Sequence, residues 1–230
     1  MEKFLVVDTE TNGLFDFSKP ADAEGQPRLA HLTMIALYGR AQWSKVNVYI
    51  RPDGWQMTPE TTAINGLTDD RLDEFGIPVR EALEMYCHYI DRGHVVVAYN
   101  ADFDLKVLRG ELRRAGMDDR YGTTASICTM RACTDICKIP KANGRGHKFP
   151  KLVEAMAHFK LEHKGVHTAL GDAQACLDLF LKLRSLGVDL TPRQPNEKPN
   201  TEGREAAPAA PREQLQKLRE GKPALEDGAK

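Results

Sequence analysis

Short apolar runs and amphipathic stretches follow one another along the first 186 residues, and their spacing predicts secondary structure. The first predicted strand, residues 4–10, begins with four consecutive apolar residues, which is typical of a strand buried on both faces. Apolar and β-branched enrichment predicts further strands at residues 32–40, 45–51, 94–99 and 126–129. Apolar positions at helical spacing predict helices at residues 78–90, 102–115, 149–160 and 168–186. The order predicts an α/β protein with a mixed five-stranded sheet flanked by helices.

The pattern changes near Gly187. No aromatic residue follows Phe180, and six of the thirteen prolines lie among polar and charged residues after that point. Such a segment cannot bury enough apolar surface to offset its loss of conformational entropy. We therefore expect a folded domain at residues 1–187 and a mostly disordered tail at residues 188–230.

Two acidic residues end the first predicted strand. Asp8 and Glu10 are two residues apart, so the two-residue period of a strand places both side chains on one face. Two like charges this close raise each other's pKa unless a positive charge lies between them, and a divalent cation is the usual one. The pair therefore predicts a metal site.

Two further acids are predicted to point inward. Asp104 lies four residues before Leu108, on the face that its helix buries, although a first-turn acid can also be there for the helix dipole. Asp172 lies within the apolar stripe of the last helix, and a carboxylate on a buried face requires a partner. His167 precedes Asp172 by five residues and converges with it most easily from the loop that enters the helix.

Together these segments resemble the three motifs of the DEDDh 3′–5′ exonucleases. The matching residues are Asp8-Thr9-Glu10, then Asn100-Ala101-Asp102-Phe103-Asp104, then His167 and Asp172. That family includes epsilon proofreading subunits, exonuclease X, ribonuclease T and oligoribonuclease, all built on a ribonuclease H-like sheet. The resemblance covers residues 1–186 and implies metal-binding roles for the four carboxylates and a general-base role for His167.

The resemblance implies two Mg²⁺ or Mn²⁺ ions, which lie about 3.5–4 Å apart in such sites. It implies release of nucleoside 5′-monophosphates from single-stranded DNA or RNA 3′ ends, with DNA as the first expectation. His167, with an unperturbed pKa of about 6.5, would accept the proton of the attacking water. Two alternatives stay open: a hydrolase of short oligoribonucleotides, and a nucleic-acid-binding module without catalysis.

Candidate substrate contacts also follow from the resemblance. They surround the first two motifs and a segment that often carries His where this chain has Asn65: Thr9, Thr11, Gly13, Leu14, Ile64, Asn100 and Phe103. A basic loop with Lys141, Arg145 and Lys148 is expected to contact backbone phosphates, or else to be an ordinary solvated loop. The polar insertion at residues 15–28 is interpreted as a mobile lid or a tolerated loop.

Composition and charge limit the partners and the cellular location that we expect for this protein. A formal net charge of −1 requires any affinity for a polyanion to come from a local patch or from bound metal. No apolar run is long enough for a membrane span, no signal peptide is recognised, and five irregularly spaced cysteines suit reduced thiols. We expect a cytoplasmic protein. Residues 212–219 carry a Gln-Leu-x-x-Leu pattern similar to sliding-clamp-binding peptides, so a polymerase or clamp is a possible partner of the tail.

Overall fold

The computed structural model describes residues 1–195. Its strands are β1 (Lys3–Thr11), β2 (Leu29–Tyr38), β3 (Ala41–Tyr49), β4 (Val95–Ala98) and β5 (Ser126–Cys128). Its helices are α1 (Pro59–Asn65), α2 (Asp69–Phe75), α3 (Val79–Ile90), α4 (Ala101–Arg114), α5 (Thr129–Cys137), α6 (Leu152–His158) and α7 (Ala169–Ser185), with a 3₁₀ turn at Tyr121–Thr123. The predicted partner-binding segment at residues 212–219 lies outside the described residues.

The five strands form one mixed sheet in the order β3-β2-β1-β4-β5. Strand β1 pairs antiparallel with β2 and parallel with β4, and β4 pairs parallel with β5. The predicted mixed five-stranded sheet flanked by helices is confirmed. Because β1 and β4 are parallel, their carboxyl ends lie at the same edge of the sheet.

Each face of the sheet is covered by different helices. The side chains of Leu5 and Val7 in β1 belong to an apolar core shared with α3 and α4. Those of Phe4 and Val6 point the other way, into a core shared with α7. The Phe4 and Phe180 rings meet edge to face with their centroids 5.0 Å apart. Even-numbered residues of β1 therefore face α7, and odd-numbered ones face α4.

Two short helices after β3 were not predicted. Helices α1 and α2 have seven residues each, and the hydroxyls of Thr58 and Thr68 accept hydrogen bonds from their first-turn backbone N–H groups. Leu67 and Leu72 of this region form a small apolar cluster with Ala30 of β2. Helices this short bury too few residues to show an apolar period, so only their caps mark them in the sequence.

The folded domain continues past residue 187. Ser126 and Arg193 exchange backbone hydrogen bonds of 2.8 and 2.9 Å beside β5. Val188 and Leu190 pack against the core between α6 and α7. The predicted start of the disordered tail at residue 188 is therefore wrong for residues 188–193, because the edge strand β5 offers them unpaired backbone groups.

The insertion at residues 15–28 packs on α4. Phe15 is buried and its ring meets that of Phe103 edge to face. Arg28 closes the insertion with two hydrogen bonds to the buried carboxylate of Glu111. A Cβ atom at Gly110 would collide with the carbonyl oxygen of Ala21, so the close approach of insertion and helix requires glycine there. The insertion is part of the folded domain.

Among the described residues, no helix combines the length and the apolar composition that crossing a lipid bilayer requires.

Candidate active site

Three carboxylates gather where β1 ends. Oxygen atoms of Asp8, Glu10 and Asp172 all lie within 4.8 Å of one another. Asp8 and Glu10 are even-numbered residues of β1 and therefore face α7, whose first turns carry Asp172. The strand period predicts this meeting, and the structure brings together these three of the four predicted metal ligands.

Asp104 joins the cluster from α4. It lies in the first turn of that helix, directly after β4, and its side chain is buried. Its Oδ1 accepts hydrogen bonds from the backbone N–H of Thr9 at 3.0 Å and from the Thr9 hydroxyl at 2.8 Å. The inward orientation predicted for Asp104 is correct. Thr9, on the opposite face of β1 from Asp8 and Glu10, ties this carboxylate to the strand.

Three carboxyl groups of the site, those of Asp8, Glu10 and Asp104, have raised pKa values. Removal from water, and then the charges of the other three carboxylates, place the pKa of Asp8 well above its usual range. Burial raises the pKa of Glu10 to about 8, with the charge of Asp172 as the next cause. Burial raises the pKa of Asp104 to about 7, although the hydrogen bonds from Thr9 oppose the shift. Bound cations would oppose these shifts, because a positive charge stabilises ionised carboxylates.

Asn65 reaches the cluster from α1. Its side-chain N–H group donates to a Glu10 carboxylate oxygen at 3.5 Å, and this contact partly lowers the pKa of Glu10. Its carbonyl oxygen accepts from the backbone N–H of Leu67 at 3.0 Å, which fixes the amide. The residue that departs from the family pattern at this position therefore touches a predicted metal ligand.

His167 lies in the loop before α7, as predicted. Its side chain is exposed and its backbone has φ 64°, a left-handed conformation that few residues other than glycine adopt. Within residues 1–195, no hydrogen bond joins His167 to any of the four carboxylates. His167 therefore lies just before the first turn of α7 and forms no hydrogen bond with Asp172. Its general-base role stays a prediction.

A second histidine of the same loop contacts the carboxylate cluster, and this contact was not predicted from the sequence. His163 Nε2 lies 2.7 Å from Asp172 Oδ1, and the His163 side chain is 8% exposed. The residue lies nine positions before Asp172 in an irregular segment, so neither helical nor strand spacing relates the two. Only the path of the loop brings them together.

The residues predicted to contact the nucleotide lie in the segments that carry the carboxylates and in α1. Thr11 and Gly13 are joined by a 2.7 Å hydrogen bond from the threonine hydroxyl to the glycine carbonyl oxygen. Leu14 follows and is 58% exposed. Ile64 is half-buried in α1, and Asn100 is the N-cap residue of α4. Their contacts with a substrate stay predictions.

The basic loop forms a small hairpin before α6. Backbone atoms of Pro140 and His147 form a bridge, and Lys141 and Arg145 lie exposed at its tip. Lys148 differs, because its Nζ donates to both carboxylate oxygens of Glu154 at 2.7 and 2.8 Å. Two of the three predicted phosphate contacts are therefore exposed cations, and the third is already paired.

Residues 5–180 match the family model described as exonuclease, RNase_T. The chain belongs to this exonuclease family. The resemblance to the DEDDh exonucleases is thereby confirmed at the level of the family. DNA polymerase III subunit epsilon of Treponema pallidum is 27% identical over 184 residues, which are 77% of this chain and 74% of that protein.

Other relatives are longer than this exonuclease-family chain. A DNA polymerase III subunit epsilon-like protein of Rhodobacter capsulatus is 26% identical over 180 residues, which are 78% of this chain and 23% of that protein. Escherichia coli exonuclease I, solved with a dT13 oligonucleotide, has a TM-score of 0.63 at 21% identity, over 80% of this chain and 41% of that chain. The chain thus spans less than half of the length of these two proteins.

The nuclease domain of 3′hExo, a DEDDh family member solved with rAMP, is similar over nearly its whole length. Its TM-score is 0.64 at 14% identity, over 84% of this chain and 96% of that chain. At such identities the likeness shows a shared fold, which is the ribonuclease H-like exonuclease fold expected from the sequence.

Proposed function

We propose that this protein is a metal-dependent 3′–5′ exonuclease that releases nucleoside 5′-monophosphates from single-stranded DNA. The observation that carries the proposal is the gathering of the Asp8, Glu10 and Asp172 oxygens within 4.8 Å, beside buried Asp104. Such a set of acids is unfavourable by itself and becomes favourable when cations neutralise it. Membership of the exonuclease family supports the same reaction.

Mg²⁺ or Mn²⁺ fits the donor set. All four side chains offer carboxylate oxygens, the hard ligands that these cations prefer. Cations at the site would stabilise the ionised form of Asp8, whose pKa is raised by burial and by the neighbouring carboxylates. The four carboxylates would hold two cations, which when bound activate water and stabilise the leaving oxygen.

The remaining chemistry falls to the protein's own residues. An imidazole nitrogen of His167 accepts the proton of the attacking water, a role open to an exposed side chain in the loop before the Asp172 helix. Gly13 and Leu14 hold the terminal nucleotide, because they directly follow β1 and the exposed leucine offers an apolar surface. Asn100 at the N-cap of α4 and Phe103 in its first turn are further candidate contacts, because Asp104 lies in the same turn.

DNA is favoured over RNA by the relatives that are named DNA polymerase III epsilon subunits. Those names also support a polymerase as partner. Hydrolysis of RNA is the second candidate, because the similar nuclease domain of 3′hExo was solved with rAMP. The intact set of five site residues argues against a module without catalysis. Clamp binding through residues 212–219 and a cytoplasmic location stay predictions.

Digestion of end-labelled single strands tests the reaction. We expect a 5′-labelled DNA oligonucleotide to shorten from its 3′ end in Mg²⁺ or Mn²⁺, with nucleoside 5′-monophosphates as products and no digestion in EDTA. An RNA strand of the same sequence, run in parallel, gives the ratio of the two rates. Digestion that persists in EDTA, or cleavage inside the strand, would contradict the proposal.

The basic hairpin is tested by the salt dependence of binding. Each phosphate contact on a single strand contributes about −0.7 to the slope of log affinity against log salt. Replacing Lys141 and Arg145 together by Ala should make the slope less negative by about 1.4. Replacing Arg40 and Lys45, exposed cations around strand β3, is the matched control and should leave the slope unchanged. Equal slopes for both double variants would remove the hairpin from the binding surface.

A further inference from the structure

One buried histidine contacts the carboxylate cluster and has no part in the reaction proposed above. His163 Nε2 lies 2.7 Å from Asp172 Oδ1, whereas its Nδ1 is buried without a hydrogen-bond partner in the part of the chain that the structure describes. The Asp172 side chain is 19% exposed and that of His163 is 8% exposed. A polar ring is costly to bury, so its one hydrogen bond accounts for its position.

The loop that carries His163 is built to hold this contact. Thr168 donates its hydroxyl to the carbonyl oxygen of Gly165 at 2.7 Å, and the same hydroxyl accepts from the backbone N–H of Gly171. A Cβ atom at Gly171 would collide with the carbonyl oxygens of Lys164 and Gly165. The chain after His163 is therefore pressed against the first turn of α7, one residue before Asp172.

We propose that His163 is a positioning residue that orients the Asp172 carboxylate toward the cation. The inference rests on the proposed metal-dependent function. A carboxylate that binds a metal is held by hydrogen bonds to its other lone pairs, and loss of such a donor lowers metal affinity about 10- to 100-fold. Asp104 has Thr9 in this role and Glu10 has Asn65, and His163 is the corresponding donor for Asp172.

The two histidines of the loop then have separable effects. His163 is buried on a metal ligand, whereas His167 is exposed four residues later and contacts none of the carboxylates among the described residues. Loss of the His163 imidazole should weaken cation binding. Loss of the His167 imidazole should slow the reaction and leave cation binding unchanged.

Mn²⁺ binding to the full chain, followed by electron paramagnetic resonance without substrate, tests the inference. We expect His163→Ala to bind Mn²⁺ about 10- to 100-fold more weakly than the unsubstituted protein. His163→Gln keeps an N–H donor and should recover most of the affinity. His158→Ala removes an exposed histidine at the end of α6 and is the matched control. Unchanged or tighter Mn²⁺ binding by His163→Ala would overturn the proposal.

Thermal unfolding in EDTA separates positioning from folding. If His163→Ala is unfolded, the comparison of His163→Gln with His163→Leu carries the test, and equal Mn²⁺ affinities would overturn the proposal. Digestion assays then distinguish the two proposals. An active parent protein with an unaffected His163→Ala overturns the positioning role alone. An inactive parent protein whose Mn²⁺ binding depends on His163 overturns the exonuclease function alone.

Discussion

The edge of the sheet and the loop before α7 both contribute residues to the candidate active site, but these residues are held in place differently. Asp8 and Glu10 are fixed by strand pairing, and Asp104 is fixed by two hydrogen bonds from Thr9 inside the core. The loop instead relies on glycine contacts and leaves the His167 side chain exposed. The acids are therefore assembled by folding itself, whereas the proposed base is free to meet the substrate.

The largest expected effect is on the sheet side of this comparison. Asp8→Asn should lower Mg²⁺-dependent digestion more than about 10³-fold, because it removes a charge on which the cluster depends. The same change should raise the melting temperature in EDTA at pH 8 by at least about 2 °C, because asparagine is neutral at a position where burial and neighbouring carboxylates disfavour an ionised side chain. Asp73→Asn, an exposed acid on α2, is the control and should change neither. A fall in both activity and stability would contradict the picture of a strained acidic cluster.

On the loop side, His167→Asn should slow digestion about 10²- to 10⁴-fold, the usual contribution of a general base. Asparagine tolerates the left-handed backbone at φ 64°, so the change removes the imidazole without adding strain. We expect the melting temperature to stay within about 2 °C of the parent value. Single-turnover rates at saturating Mg²⁺ measure the effect, and a full rate in this variant would remove His167 from the mechanism.

Gly171→Ala tests whether the loop needs its close approach to α7. The added methyl group would push Lys164 and Gly165 away from the helix, and a displacement of about 1 Å in a site can cost up to about 10²-fold in rate. Gln174→Ala, one turn further along the same helix and exposed, is the matched control. If Gly171→Ala kept full activity and Mn²⁺ affinity, the loop would adapt more readily than its packing indicates.

The smallest expected effect is a pH dependence of stability, which the raised pKa values of the buried carboxyl groups cause. A carboxyl group with a raised pKa keeps its proton in the folded state over a pH range in which the unfolded chain has lost it. Stability therefore falls as pH rises through that range, and the fall is complete above the folded-state pKa. For Glu10, with a pKa of about 8, and Asp104, at about 7, the useful window is pH 6.5 to 8.5.

Below that window, burial lowers the pKa of His31 to about 4 and makes stability rise with pH, which obscures the effect of the acids. Within it, the melting temperature in EDTA should fall by about 4 °C or more. Glu10→Gln should flatten the fall, and saturating Mg²⁺ should abolish it. Equal slopes for parent and variant in EDTA would show that Glu10 is ionised throughout.

Strand and helix periods were sufficient to predict the acid cluster. The two-residue spacing of Asp8 and Glu10 placed them on one face, and the helical spacing of Asp104 from Leu108 placed it in the core, as the structure has them. These relations are local, because each depends on the geometry of one element. The order of the elements, three strands and then strands alternating with helices, was sufficient to predict a mixed sheet.

The parts that sequence could not give depend on chain paths between elements. His163 meets Asp172 only because Gly165 and Gly171 let the loop press on α7, and no periodicity encodes that approach. Helices α1 and α2 are too short to show a pattern. Residues 188–193 look like a linker by composition, yet Arg193 finds backbone partners at the open edge of β5.

Raised carboxyl pKa values turn ion uptake into an acid–base reaction. The pKa of Glu10 is raised to about 8 and that of Asp104 to about 7, and carboxyl ligands must lose their protons to coordinate a metal. Each Mg²⁺ that enters should therefore expel protons into the solvent. The heat of binding in calorimetry should then vary with the ionisation enthalpy of the buffer, and apparent affinity should increase as the solution becomes more alkaline.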